Sequence, residues 1–409
     1  MMRITSGTIL ITTAALLPPV AIIAPLGTAP LLGATIFGLV LTGAARDSWP
    51  ALRRDPVFLI LCTLAIWAAI SLLWSPETAK GVRTVAKIAV LFTGGMMAVD
   101  RARCLDTQDR RRCGIALIAG MTIALAYLSI DIYSNGLIRS LFLNTTDGQK
   151  FYPYMLNRPV TIVAMLVWPV AIALGTKYPR WTLWLFLLFA LAVLSGSASA
   201  TAVTALTAGI AVFALSHLAF PRDILRRIVL AGLIVALLAL PLFKGVSAHI
   251  ESWNPNSSVQ NSLVHRLFIW DFAATRAMEK PITGRGIEAS RGLARHIPQD
   301  DSWQPGETLL EVKKKYFRSA SMPLHPHSAG LQIWAELGLV GILLVCAWLC
   351  ATFRAIGRLP GSSDLCALFV TGFAIASAGF GIWQSWWLST LWLSAILAVA
   401  VKPRPDDGP

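Results

Sequence analysis

Charge is scarce in this chain, and negative charge scarcer still. Asp, Glu, Lys and Arg make up only 14% of 409 residues, and 21 acids stand against 35 bases. So little ionisable surface excludes an ordinary soluble domain, and 56% hydrophobic residues with a mean hydropathy of +0.64 point to a membrane protein. Cysteine is also sparse: Cys62, Cys104, Cys113, Cys346, Cys350 and Cys366 all fall in apolar runs or beside basic connections, and none lies in the long polar stretch of residues 244–326. An external segment there needs no disulfide framework. There is no Asp-x-Asp pair and no outer carboxylate cluster suited to magnesium or manganese. The N-terminal run lacks the form of a cleavable signal peptide, because Pro18 and Pro19 fall inside it and another run follows at once; it reads as a retained first membrane helix.

What is abundant is apolar length. Runs long enough for ~30 Å of hydrocarbon recur along the chain, with centres near residues 16, 37, 65, 91, 124, 165, 188, 209, 235, 345, 372 and 393. The expected fold is therefore an all-α polytopic membrane protein of about twelve transmembrane helices. Residues 1–243 hold the first nine, 244–326 a large and partly helical loop, and 327–409 the last three with the C-terminal tail. Alternate short connections carry Arg3, Arg46, Arg53, Arg54, Arg101, Arg103, Arg110, Arg111, Arg112, Lys177, Arg180, Arg222, Arg226, Arg227, Arg354, Arg358, Lys402 and Arg404, whereas the opposite short loops near 27, 197 and 383 carry no base. The positive-inside rule then puts both termini in the cytoplasm. About half of the +14 net charge is explained this way, and no nucleic-acid motif accompanies the rest, so nucleic acid is not an expected partner. Lys80, Arg83, Lys87, Arg139, Lys150 and Arg158 gather at the outer ends of spans three to six, where an anionic ligand is to be sought.

The long loop has order of its own. Leu263, Leu267, Trp270, Ala274 and Met278 recur at helical spacing with Arg266 and Trp270 four apart, and Pro281 with Gly284-Arg285-Gly286 then stops the helix and turns the chain. The loop ends in His325-Pro326-His327-Ser328, two of only six histidines, where it meets an apolar helix. Titratable groups at such a boundary are costly and make functional candidates; the plainer alternative is that His-Pro-His caps the helix. Two histidines alone do not supply the three or four ligands of a zinc site. Glu336 lies nine residues beyond His327, roughly 13 Å along an unbroken helix. An ion pair with a base such as Lys87, with Gly338 and Gly341 permitting close helix packing, is the expected reason for it.

Taken in order, Asn157-Arg158 at the sixth span, Arg266-x-x-x-Trp270, Pro281-Ile282-Thr283-Gly284-Arg285-Gly286, and His327-Ser328 ahead of a Leu-Gln…Glu-Leu-Gly…Gly helix resemble the O-antigen ligase and polymerase superfamily of bacterial inner-membrane glycosyltransferases. Ser71-Leu72-Leu73-Trp74-Ser75-Pro76 adds to the resemblance to the ligases. Two departures stand out. Ser195-Gly196-Ser197-Ala198-Ser199 replaces a Ser-Arg-Gly common among relatives, and His327-Ser328 replaces His-Asn, a mild change because serine also caps helices.

The resemblance implies an undecaprenyl-pyrophosphate-linked glycan as donor and lipid A–core as acceptor, joined at the periplasmic face with inversion. A leaving pyrophosphate needs a metal or fixed cations. With no metal site or other cofactor expected, Arg158 and Arg266 become the natural clamp, since guanidinium forks onto phosphate oxygens. The plainer alternatives are an Arg158 that snorkels and an Arg266 stacked near Trp270. His327 matches the position the resemblance assigns to a general base. His325, two residues away, either orients it or binds sugar, and Asn157, Trp270 and Arg285 are implied as further substrate contacts. A glycan polymerase and a protein O-oligosaccharyltransferase share this architecture. Polymerases carry two sizeable outer loops, and the modest second loop near 134–156 favours a ligase. A transporter or flippase is the remaining class; no internal inverted repeat supports it.

Overall fold

The computed structural model describes residues 5–142, 153–218, 221–246, 249, 258–293, 325–359 and 363–403. Lys150, the glycosylation-type triplet Asn144-Thr145-Thr146, and the charge runs Asp300-Asp301 and Lys313-Lys314-Lys315 lie outside them. Among the described residues there is no β-strand, and the chain is an all-α polytopic membrane protein. In chain order the helices are α1 (Ser6–Ile23), α2 (Thr28–Leu41), α3 (Ala44–Leu52), α4 (Pro56–Ile70), α5 (Thr78–Arg103), α6 (Thr107–Tyr133), α7 (Leu137–Phe142), α8 (Asn157–Gly175), α9 (Arg180–Ser195), α10 (Ala200–Leu218), α11 (Arg222–Leu238), α12 (Ser258–Glu279), α13 (Ala289–Leu293), α14 (Ala329–Gly357), α15 (Ser363–Ala378) and α16 (Ser385–Ala400).

Each of the twelve expected centres falls within a helix. Among the described residues seven helices are long and apolar enough to cross a bilayer alone. The second expected span is a pair bent by 95° (Pro25–Leu41 with Ala44–Leu52), and α9, α15 and α16 are shorter apolar helices. Local signals set the starts: Asp55 accepts from Val57 N–H at 2.8 Å ahead of Pro56, and Asp106 accepts from Asp109 N–H at 2.8 Å. Pro18 and Pro19 do not interrupt α1, which runs through both. Gly120 of α6 makes this possible, because a Cβ there would meet the Pro18 ring at 2.9 Å.

The core centres on α8. Its residues from Pro159 to Ala173 are all buried, against α1, α6, α9, α10, α15 and α16. Trp168, fully buried, donates its indole N–H to Thr371 of α15 at 2.8 Å, and Gly209 of α10 leaves room for the ring. The base-rich connections come together at one end of the bundle. There Arg110 donates to the carbonyls of Leu105, Val399, Arg103, Ala102 and Lys402, closing the C-termini of α5 and α16, while Arg101 and Arg103 lie by Asp47 and Asp55. Arg158 begins α8 at the opposite end, where α12 and the start of α14 also pack.

The loop helix expected from Ser262 to Lys280 is α12, Ser258–Glu279, with a small core of its own. Val264, Phe268, Ile269, Ala273 and Ala274 pack on Leu331 of α14, and Trp270 meets Phe243 at 5.0 Å between ring centroids. Beyond α12 the chain enters the bundle and splices into α14. Gly338 has φ 64° and ψ −162°, so α14 is two half-helices, not one unbroken rod. Arg285 N–H and Gly286 N–H donate to the carbonyls of Ala335 (2.9 Å) and Glu336 (2.8 Å). Leu339 N–H and Val340 N–H donate to the carbonyls of Pro281 (2.8 Å) and Ile282 (3.3 Å), and the Trp67 indole N–H takes the Leu337 carbonyl at 3.0 Å. Thus Gly338 does not serve helix packing, as its spacing suggested; it lets another segment repair the ladder it breaks. Ser75 and Ser71 fasten the same segment, one donating to the Ile287 carbonyl at 2.7 Å and the other accepting from Ile287 N–H at 3.0 Å.

A Cβ on Gly284 would lie 2.4 Å from the Glu336 carbonyl, and one on Gly338 2.4 Å from that of Ile282, both at positive φ. Gly284→Ala and Gly338→Ala are each expected to cost about 1–3 kcal/mol in backbone strain, with the overlap in addition. The yield of monodisperse protein in detergent and its thermal midpoint are the measurements; wild-type values for both variants would show that the splice is dispensable.

Candidate active site at the end of the bundle

Ser328, not histidine, caps α14: its side chain accepts from Leu331 N–H at 3.4 Å from an extended backbone. This leaves both histidines for other work. His327 holds a left-handed backbone at φ 51°, uncommon for a residue with a Cβ. Such an outlier persists only where its surroundings enforce it and is a pointer to function.

Those surroundings define the ring. His327 Nδ1 lies 2.8 Å from the Gly379 carbonyl, which can only accept, so Nδ1 carries the proton and Nε2 keeps a free lone pair. Burial holds the His327 pKa below the ordinary imidazole value; the Gly379 hydrogen bond opposes this, and the Arg266 charge adds to the lowering. His325 stands 4.4 Å away, ring to ring, and its Nδ1 accepts the His327 backbone N–H at 3.2 Å. Burial first, then His327 and Arg291, push His325 down to about 4, so it is neutral near neutral pH. Its Nε2 lies 3.1 Å from the Gln384 side-chain amide, and Gly381 gives its ring room. The arrangement makes His325 a support for His327.

Arg266, from α12, reaches Thr201 Oγ1 at 3.3 Å at the start of α10, and burial lowers its pKa without threatening its charge. Arg158 sits with its guanidinium carbon 5.9 Å over the Trp386 ring; Trp386 donates to Gln384 at 2.8 Å, and Gln384 reaches His325. Asn157 is beside it, with a buried side-chain oxygen that has no hydrogen-bond partner. Neither Arg158 nor Arg266 has an ion-pair partner among the described residues. Two cations without counter-charges beside a neutral imidazole suit an anionic leaving group and a hydroxyl to be deprotonated.

Other residues singled out in the sequence are placed differently. Arg285 is ion-paired with Glu279 and donates to the Arg276 carbonyl at 3.3 Å, which closes the turn after α12. Trp270 packs on Phe243, with its indole N–H buried and unpartnered. Glu336 makes no ion pair with Lys87; Lys87 donates to the Trp383 carbonyl, and Glu336 accepts from three neutral donors. The turn between α15 and α16, which supplies Gly379, Gly381 and Gln384 and leads into Trp386 of α16, carried no signal in the sequence beyond its lack of bases. Arg291, paired with Glu288 at 2.5 Å and close enough to affect His325, also escaped notice. No three His, Cys, Asp or Glu side chains converge as metal ligands among the described residues.

Residues 183–346 match the O-antigen ligase family model, a stretch that spans α9 to α14 and includes Arg266 and His327. Similar proteins include one of Rickettsia conorii with the provisional name polysaccharide ligase, 28% identical over 369 residues, covering 88% of this chain and 82% of its own. One of Rickettsia felis with the same name is 26% identical over 370 residues, covering 86% and 84%, and one of Rickettsia typhi is 27% identical over 350 residues, covering 82% and 79%. These relatives align well beyond the matched segment, along most of the bundle, and the chain is similar to the O-antigen ligase family.

Proposed function

We propose that the protein is a metal-independent, inverting glycosyltransferase that moves a glycan from undecaprenyl pyrophosphate to the lipid A–core oligosaccharide. The observation that carries this reading is the His327 ring, fixed by Gly379 with Nε2 free, beside Arg266. An acceptor hydroxyl attacks the anomeric carbon and gives its proton to Nε2. The bond from that carbon to the pyrophosphate oxygen breaks, and the leaving oxygen takes the electron pair. Arg158 and Arg266 hold the growing phosphate charge, each by a planar fork. An apolar cavity of about 260 Å³ supports a lipid-borne donor: its lining includes Leu61, Met165, Ile333, Trp348, Trp383 and Ala329, so it runs from within the bundle to the residue next to Ser328. The charge pattern and this placement support a site at the periplasmic face of the inner membrane, with both termini cytoplasmic.

Purified protein given lipid-linked glycan and lipid A–core tests the reading by a gel shift of the acceptor. Longer lipid-linked chains formed without acceptor would make it a polymerase instead. Transfer is expected to withstand EDTA; loss with EDTA and recovery with magnesium or manganese would replace the arginine clamp by a metal.

Arg266→Lys is expected to insert and fold but to lose most turnover, because lysine keeps the charge without the fork. Turnover within about twofold of wild type would reduce Arg266 to packing.

His327→Ala is expected to abolish transfer while donor binding persists, and His325→Ala to be milder. In the wild type the acidic limb of the rate profile should lie below the reference imidazole value of ~6.5, because a lowered pKa keeps the base unprotonated to lower pH. Single-turnover transfer alongside donor binding decides: if His327→Ala transfers well, or fails only because donor no longer binds, the base lies elsewhere.

A further inference from the structure

Glu336 is fully buried and has no ion-pair partner among the described residues, yet its carboxylate is saturated with donors. Oε2 accepts from Glu288 N–H and from the Trp383 indole N–H, both at 2.7 Å; Oε1 accepts from the Gln332 amide at 3.0 Å. Gln332 in turn accepts Ile382 N–H on its own oxygen at 3.0 Å. One turn apart on α14, Gln332 and Glu336 therefore hold two consecutive residues, Ile382 and Trp383, of the segment joining α15 to α16. That segment presents the Gly379 carbonyl to His327 and Gly381 and Gln384 to His325, and it leads into α16, whose Trp386 lies under Arg158.

We infer that Glu336 is a positioning residue for His327: by anchoring the 379–384 turn it fixes the carbonyl that keeps Nδ1 protonated and Nε2 available. It contacts His327 nowhere itself. This rests on the general-base reading above. The charged groups around the two ends are few. Glu288, bonded to Thr84 at 2.7 Å and to Arg291, lies beside Glu336, with Lys87 on the far side of Trp383; His325 and Arg266 face His327.

The donor pattern supplies a sharp test. In Glu336→Gln one acceptor becomes a donor. Its amide then faces the Gln332 amide, and flipping Gln332 only moves the conflict to Ile382 N–H. The exchange Gln332→Glu with Glu336→Gln satisfies every group again: the new glutamine donates to the new glutamate, which also takes Ile382 N–H. Glu336→Gln should therefore lower kcat by roughly 10- to 100-fold, as the loss of an orienting hydrogen bond does elsewhere. KM for the lipid-linked donor should stay near wild type, because the arginines are untouched. Since the Gly379 bond raises the His327 pKa, loosening it should also move the acidic limb to lower pH. The double exchange should restore both kcat and the limb.

Should Glu336→Gln fail to accumulate as folded protein, Gln332→Met releases Ile382 N–H without touching Glu336 and should shift the limb the same way. Normal turnover of Glu336→Gln, a drop in kcat with an unmoved limb, or a double exchange that restores folded yield but not the limb would each overturn the positioning role. Those results leave the general base standing. Transfer by His327→Ala, or a wild-type profile with no acidic limb, would instead overturn the reading on which it rests.

Discussion

Backbone polar groups inside a bilayer have no water to bond with, and each one left unpaired costs several kcal/mol. The break at Gly338 opens that problem within an apolar helix, and the segment after α12 answers it with four backbone hydrogen bonds. Everything at the site hangs on this splice. It ties the end of α12 into α14, so the helix that carries Arg266 cannot drift from the one that His327 precedes. It also delivers Glu288 N–H to Glu336 and, through Ser71 and Ser75, binds α4 and the start of α5 to the same segment. The long loop before α14 is in this sense a part of the bundle.

The arginines divide by what answers their charge. Arg276 and Arg285 share Glu279, Arg291 has Glu288, Arg139 has Asp131, and Arg110 is consumed by helix-end carbonyls. These cations close turns and join helix ends. Arg158 and Arg266 instead rest against an aromatic face and a hydroxyl. A cation held in place but not neutralised keeps its field for a ligand, and at a poorly solvated site that field is strong. The chain has fewer acids than bases, so some cations go without a counter-charge, and Arg158 and Arg266 are among them.

Much of this was legible in the sequence, for identifiable reasons. A membrane helix announces itself by apolar length, so all twelve centres fell within helices. His327 and Arg158 stood out because polar residues are conspicuous where the apolar runs end, and Arg266 through the Arg-x-x-x-Trp motif it shares with the family that the chain resembles. Other features were hidden because their partners are distant in sequence. Gly338 looks like any glycine in an apolar helix until residues 281–286 are set against it. The pairing expected between Glu336 and Lys87 fails because Trp383 stands between them, giving its indole to one and its carbonyl to the other. Arg285, a substrate contact by motif, closes back on Glu279 six residues earlier. The Ser195–Ser199 stretch, which lacks an arginine common in relatives, leads directly to Thr201, where the Arg266 side chain ends.

The two histidines show how one short motif yields two chemistries. Both rings are partly buried, and that burial alone would weaken both as bases. His325 spends its Nδ1 lone pair on the His327 backbone and has no acceptor to support a proton there, so it stays neutral and structural. His327 gives its Nδ1 proton to a carbonyl, which restores basicity at the opposite nitrogen. The left-handed backbone at 327 is what turns that ring towards the 379–384 turn, and Pro326 fixes the step between the two. In the proposed reaction, base and cations come from different supports: His327 from the loop before α14, Arg158 from the head of α8, and Arg266 from α12. On that proposal, separate supports would hold the acceptor hydroxyl and the leaving pyrophosphate on opposite sides of one anomeric carbon, as a single inverting displacement requires.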